Sequence, residues 1–262
     1  MIKLGLLTYN MAAEWDLDTS VEKCGALGLG GVEFRTDREH AHGVEIDIST
    51  ERRAEVKAKC ADGGITIVGL SSGCQFDSLK DQELADNIER AKRHLDLCAE
   101  LGGGGVKVFG NKLHASEGVP EEQTVAQIGR ALHECGEYAK GLGVLVRFEM
   151  HGDFQSAEQC NEIVRQADSG GVKLIYNCNA KDPVEGSIQP ILSAVADYVE
   201  HVHLHDLCDA DFPYLELVKL LKQMRYEGWC TAELPDSSDR ERVLRYYVAL
   251  WEALNQIADL SG

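Results

Sequence analysis

The sequence has no Cys-x-x-Cys pair, no cluster of Lys and Arg, and no apolar stretch approaching the roughly eighteen residues that cross a bilayer. Each absence removes a class of function. The nine cysteines, at 24, 60, 74, 98, 135, 160, 178, 208 and 230, are odd in number and scattered. That fits reduced thiols in a cytosol rather than a disulfide framework, and most are expected to be small core residues. Acidic residues outnumber basic ones by 44 to 26, for a formal net charge of -18, which opposes a polyanionic partner such as nucleic acid. Membrane insertion is not expected. The opening MIKLGLLTYN meets a polar residue too early for a secretory leader and reads as a strand, so the expected location is the cytoplasm.

Ordinary fractions of apolar (44%) and charged (27%) residues predict a folded chain with a sizeable core. A short apolar run, a polar or Gly-rich loop and a longer segment of helical periodicity recur eight times, the pattern of βα units around a parallel sheet. Strands are expected at 3–8, 31–35, 66–71, 105–109, 144–149, 172–176, 199–205 and 229–233. The helical runs DQELADNIERAKRHLDLCAELG and EEQTVAQIGRALHECGEYAKGLG close on glycine, as a C-terminal cap prefers. GSIQPILSAVAD and DFPYLELVKLLKQM carry Pro190 and Pro213, which a helix accepts only in its first turn. No linker or change of composition divides the chain, so residues 1–262 are expected to form one domain, a single (β/α)8 TIM barrel of the α/β class. An open doubly wound sheet is the alternative, but it would place a Gly-rich phosphate loop after the first strand, where TYNMAAEWDLD has none.

In such a barrel the reactive residues gather at the C-terminal strand ends. Alternation along each strand turns Arg147 and Glu149 inward while Val146 and Phe148 face the helices. The same count turns His201, His203 and His205 inward, with Ile175, Asn177, Thr231 and Glu233. Two carboxylates, imidazoles and a carboxamide therefore converge. Carboxylates held together without a cation repel and raise one another's pKa, so a divalent ion is the economical way to keep Glu149 and Glu233 close. An oxygen-rich set with imidazole suits Mn foremost, or Mg, Co or Zn, rather than a thiolate-seeking metal.

The series GVEFR, RFEMHG, HVHLHD and WCTAELP resembles, in order and spacing, the xylose isomerase-like TIM barrels, which include sugar isomerases, ketose epimerases, inosose dehydratases and the endonuclease IV branch. The resemblance spans essentially the whole chain. It implies four metal ligands at the ends of strands five to eight, which fall here on Glu149, Asn177, His203 and Glu233. Asn177 stands where an Asp is usual and offers a neutral carbonyl oxygen; Asn179 and Cys178 are the local alternatives. His205 stands where the family often has Lys as a cationic substrate contact. His151, in an E-x-H pattern after Glu149, corresponds to a substrate-contacting or ligand-orienting histidine, or else caps its loop.

Bland readings compete with these. Glu33 either contacts substrate hydroxyls or pairs with Arg35 or Lys107 inside the barrel. His201, one pleat deeper than His203, is expected to be a hydrogen-bonded core residue. Asp206 orients an imidazole or caps a turn. GGGG at 102–105 ends a helix and enters a strand, the reverse of a phosphate loop, and reads as a helix cap.

The resemblance implies a metal-dependent sugar isomerase or epimerase working through an enediolate, with Glu149 and Glu233 as base and acid. The same proton abstraction would serve a lyase, dehydratase or hydrolase acting on keto-sugars or keto-glycosides, and a noncatalytic sugar-binding barrel is a third reading. A nuclease of the endonuclease IV type would need more strand-end His and Asp. The expected partner is a small carbohydrate, and nothing in the sequence opposes a homo-oligomer.

Overall fold

The computed structural model describes residues 1–260. Eight parallel strands pair strictly in chain order and close by β1 against β8, which excludes the open doubly wound sheet. The strands are β1 (Lys3–Leu7), β2 (Gly31–Arg35), β3 (Thr66–Gln75), β4 (Gly105–Phe109), β5 (Leu145–Glu149), β6 (Val172–Tyr176), β7 (Val199–Leu204) and β8 (Trp229–Ala232). The intervening helices are α1 (Leu17–Leu27), α2 (Thr50–Asp62), α3 (Asp81–Leu101), α4 (Glu121–Leu142), α5 (Ala157–Ala167), α6 (Gln189–Val195), α7 (Tyr214–Gln223) and α8 (Arg240–Leu260). Among the described residues no helix is long and apolar enough to cross a membrane.

Local chemistry accounts for most boundaries. Asp16 caps α1 by accepting from the Thr19 backbone N–H at 2.8 Å. Both long helices end on a glycine at positive φ, Gly102 after α3 and Gly143 after α4. Along α4 the buried residues Val125, Ile128, Leu132, Cys135 and Ala139 form the stripe that packs on the sheet. Pro190 sits in the first turn of α6, a helix of seven residues, while Pro213 is the residue before α7. β3 runs four residues beyond the expected end at Ser71, because a register shift lets Gln75 pair with Phe109 after Ser71 pairs with Lys107.

The outward strand residues Val32, Phe34, Val106, Val108, Val146, Phe148, Leu174, Val202 and Leu204 are buried under the helices and form the main core. The barrel interior is polar and charged. Toward the N-terminal end of the strands Arg147 donates to the Val68 carbonyl at 3.0 Å. The same guanidinium meets both Glu200 oxygens, Nε to Oε2 at 2.6 Å and Nη2 to Oε1 at 3.2 Å. This plug explains the last two of the four glycines at 102–105. Gly102 is the helix cap, but a Cβ on Gly105 would lie 2.8 Å from Arg147 Nε, and one on Gly104 2.7 Å from Nη2.

Gly105→Ala is therefore expected to lower stability by about 1–3 kcal/mol, the usual cost of overpacking. Gly141→Ala, in α4, where a new Cβ meets nothing within 4 Å, should be neutral or stabilising by up to about 1 kcal/mol. Urea unfolding of the two variants checks the contrast.

Candidate metal centre

At the C-terminal mouth, Glu149 is the last residue of β5, His203 the penultimate residue of β7, and Glu233 follows β8. The Glu233 backbone N–H donates to the Leu204 carbonyl at 2.7 Å, which carries the strand pairing one residue past β8. Glu149 and His203 are buried, and Glu233 keeps 22% of its side chain exposed. His203 Nδ1 lies 2.8 Å from Glu149 Oε1 and 3.4 Å from Glu233 Oε2. Ligand atoms of the three residues all lie within 4.8 Å of one another.

Asn177, just past β6, enters through His205: its Oδ1 accepts from His205 Nε2 at 3.1 Å, and that nitrogen is 3.7 Å from Glu233 Oε2. Asn179 turns elsewhere, its Nδ2 donating to the Met150 carbonyl at 2.9 Å. Cys178 is buried, and burial pushes its thiol well above the ordinary range. His151 packs edge-on against Phe109 at 5.4 Å between ring centres, and its carbonyl accepts from the Phe154 N–H, closing the loop. Asp206 accepts from the Cys208 backbone N–H at 2.9 Å and caps a turn.

Glu33 lies beneath His203 and is 1% exposed. Its Oε2 faces His201 Nε2 at 2.9 Å, His203 Nε2 at 3.1 Å and the Thr231 hydroxyl at 2.9 Å. It pairs with neither Arg35 nor Lys107. Arg35 instead donates to the carbonyls of Thr36 and Ser71, both at 2.6 Å.

Lys107 is the residue that strand-end reading undervalued. Its ammonium donates to Glu149 Oε2 at 3.0 Å and lies 4.1 Å from the centre of the Phe109 ring. Its inward register opposite Arg147 was the available signal, but alternation does not say which inward acid a lysine reaches.

Burial alone would push Glu149 upward, yet the Lys107 charge and the His203 hydrogen bond outweigh it and hold the carboxyl well below its ordinary range. Burial would likewise lower His203, but Glu33 and Glu149 prevail and raise it to about 10. Positive charge is thus favoured beside His203 Nδ1, between the two carboxylates. That position, ringed by two carboxylates and an imidazole nitrogen, fits a divalent cation in donor chemistry, and the Glu33 bond to Nε2 is the outer support such ligands carry.

Removing one member of the buried Lys107–Glu149 pair leaves a poorly compensated charge. Lys107→Met is expected to destabilise the protein by roughly 3 kcal/mol in thermal unfolding without added metal.

Comparison with known proteins bears on the family and the fold. The chain is 27% identical over 194 residues to a 3-dehydroshikimate dehydratase of Pseudomonas aeruginosa. The match covers 72% of this chain but spans only 28% of that relative's length. Among solved structures, L-ribulose 3-epimerase superposes with a TM-score of 0.83 at 17% identity, covering 100% of this chain and 97% of the other. The 3-keto-D-glucoside 4-epimerase of E. coli gives 0.80 at 16% identity, covering 97% and 100%. At these identities the structural likeness speaks for the fold. The sequence model of the xylose isomerase-like TIM barrels matches residues 21–254, and the chain belongs to that family.

Proposed function

We propose that the protein is a divalent-metal-dependent enzyme that isomerises or epimerises a sugar or related polyol ketone, with Glu149 and Glu233 moving the proton. One observation carries this reading: two carboxylates from different strand ends, Glu149 at the end of β5 and Glu233 after β8, meet at one imidazole nitrogen at the mouth. Glu149, Asn177, His203 and Glu233 would hold the ion, with Mn foremost for a set dominated by oxygen. When bound there, the ion supplies Lewis-acid stabilisation of negative charge on substrate oxygen.

The chain's own residues supply the rest. Lys107 keeps Glu149 ionised and therefore able to accept a proton from the carbon beside a ketone. Glu233, on the other side of the substrate, exchanges a proton with the resulting enediolate, so that return to the same or a neighbouring carbon gives the epimer or isomer. Glu33, accepting from His203 Nε2 beneath the site, orients that ring instead of touching substrate. His151 and His205 contact substrate oxygens at the mouth.

A second reading rests on the dehydratase relative. The same proton abstraction followed by loss of a β-hydroxyl would make the protein a lyase acting on a keto-polyol.

Glu233→Gln is expected to cut turnover on the true substrate by about 10²–10⁴-fold while the protein still folds and takes up Mn; full turnover would overturn the assignment. Chelation should abolish activity and Mn restore it. In heavy water, deuterium entering beside the ketone without loss of hydroxyl marks an isomerase or epimerase, and loss of water marks the dehydratase.

A further inference from the structure

A second group of ligating atoms lies away from Glu149 and His203, where the loop after β2 meets β3 and α3. Asp37 comes from that loop, Cys74 from the last turn of β3 and His94 from the middle of α3. One ligand atom from each lies within 4.8 Å of the others. Cys74 and His94 are fully buried, and the Asp37 side chain is 19% exposed. The proposed reaction uses none of the three.

Hydrogen bonding leaves this group short of a positive charge at its centre. His94 Nδ1 faces the Arg90 carbonyl at 2.9 Å, and a carbonyl only accepts, so the ring proton sits on Nδ1. His94 Nε2 is then a bare lone pair. It is buried without a hydrogen-bond partner, and Asp37 Oδ2 faces it at 3.6 Å. Two acceptors thus point at each other in the interior, an arrangement that costs free energy unless a cation lies between them. Asp37 is fixed in place by the Gly73 backbone N–H, which donates to Oδ2 at 2.8 Å. The Cys74 sulfur lies 3.9 Å from His94 Nδ1 and accepts from Arg90 Nε at 3.4 Å, but burial outweighs that contact and keeps the group a thiol in the absence of a metal.

We propose that Asp37, Cys74 and His94 form a second metal site, selective for zinc, that ties the loop after β2 to β3 and α3. The donor set decides the metal: thiolate, imidazole and carboxylate suit zinc, whereas the oxygen-rich centre at Glu149 suits harder ions. Bonds of about 2.0–2.3 Å at tetrahedral angles place ligands about 3.3–3.8 Å apart, a range that already contains the 3.6 Å between His94 Nε2 and Asp37 Oδ2. Water reaching the part-exposed Asp37 side fills the fourth position. Binding forms the metal–sulfur bond as the Cys74 thiol releases its proton to solvent, so one proton leaves per ion bound.

Titration of the purified full chain with Co(II) tests this, because only a thiolate ligand gives a sulfur-to-cobalt charge-transfer band in the near ultraviolet. The expected result is such a band, bleached by added zinc. It should be retained in Glu149→Gln, which dismantles the other centre, and in Cys208→Ser, which removes the exposed thiol. It should be lost in Cys74→Ser and in His94→Gln, with one fewer ion bound per chain. A folded wild-type protein that saturates with Co(II) and shows no thiolate band overturns the proposal, as does a band that survives Cys74→Ser. A wild-type protein without the band overturns the proposal whether or not the variants fold, loss of the band in either Cys74→Ser or His94→Gln suffices to assign it, and retention of the band in Glu149→Gln keeps it separate from the fate of the catalytic reading.

Discussion

The mouth of this barrel is organised by one buried carboxylate oxygen. Glu33 Oε2 sits among the side chains of His201, His203 and Thr231, on β7 and β8, although Glu33 itself is on β2. A charge so far from water is tolerable only when it is neutralised and hydrogen-bonded. The requirement runs both ways. The histidines keep Glu33 ionised, and Glu33 fixes the plane of the His203 ring, so that Nδ1 points at Glu149 and Glu233. The placing of His203 between Glu149 and Glu233 is thus set from below by a residue on a distant strand.

A second charge balance works at the same level. Glu149 carries Lys107 on one oxygen and His203 on the other. The interior therefore alternates acid and base from β2 through β4 and β5 to β7, and no single residue in the chain can change sign without leaving a neighbour uncompensated. This is why the interior holds so many charges in a chain of net charge -18: the excess of acid lies on the surface, while inside the barrel each carboxylate has its cation or imidazole.

Much of this was legible in the sequence. Strand positions followed from short apolar runs between glycines, and period-two alternation named the inward residues of β5, β7 and β8 because those strands are regular where they carry Glu149, His203 and Thr231. What alternation cannot give is depth or pairing. The register slips between Val32 and Glu33 against β3, and again between Leu174 and Ile175 against β7. Such slips change which inward residues lie level with one another, and alternation alone does not say that Glu33 meets His201 and His203 instead of Arg35. They are backbone irregularities with no residue signature of their own. The extension of β3 to Gln75 went unseen for the same reason, and with it the meeting of Cys74 with His94, which stands on a helix where no strand-end rule looks.

β5 carries Arg147 and Glu149 two residues apart, one plugging the lower barrel and the other facing the mouth. Clamped by Glu200 below and by Lys107 and His203 above, this strand has almost no freedom to lose when a ligand arrives. Glu233 differs: it stands beyond the last residue of β8, partly open to solvent, with its nearest ring nitrogen at 3.4 Å. The entropy of organising the site on ligand binding therefore falls on side chains at the rim, Glu233 and the more exposed His205, and not on β5. Glu149 is a fixed reference, and Glu233 is free to adapt to the shape of a ligand.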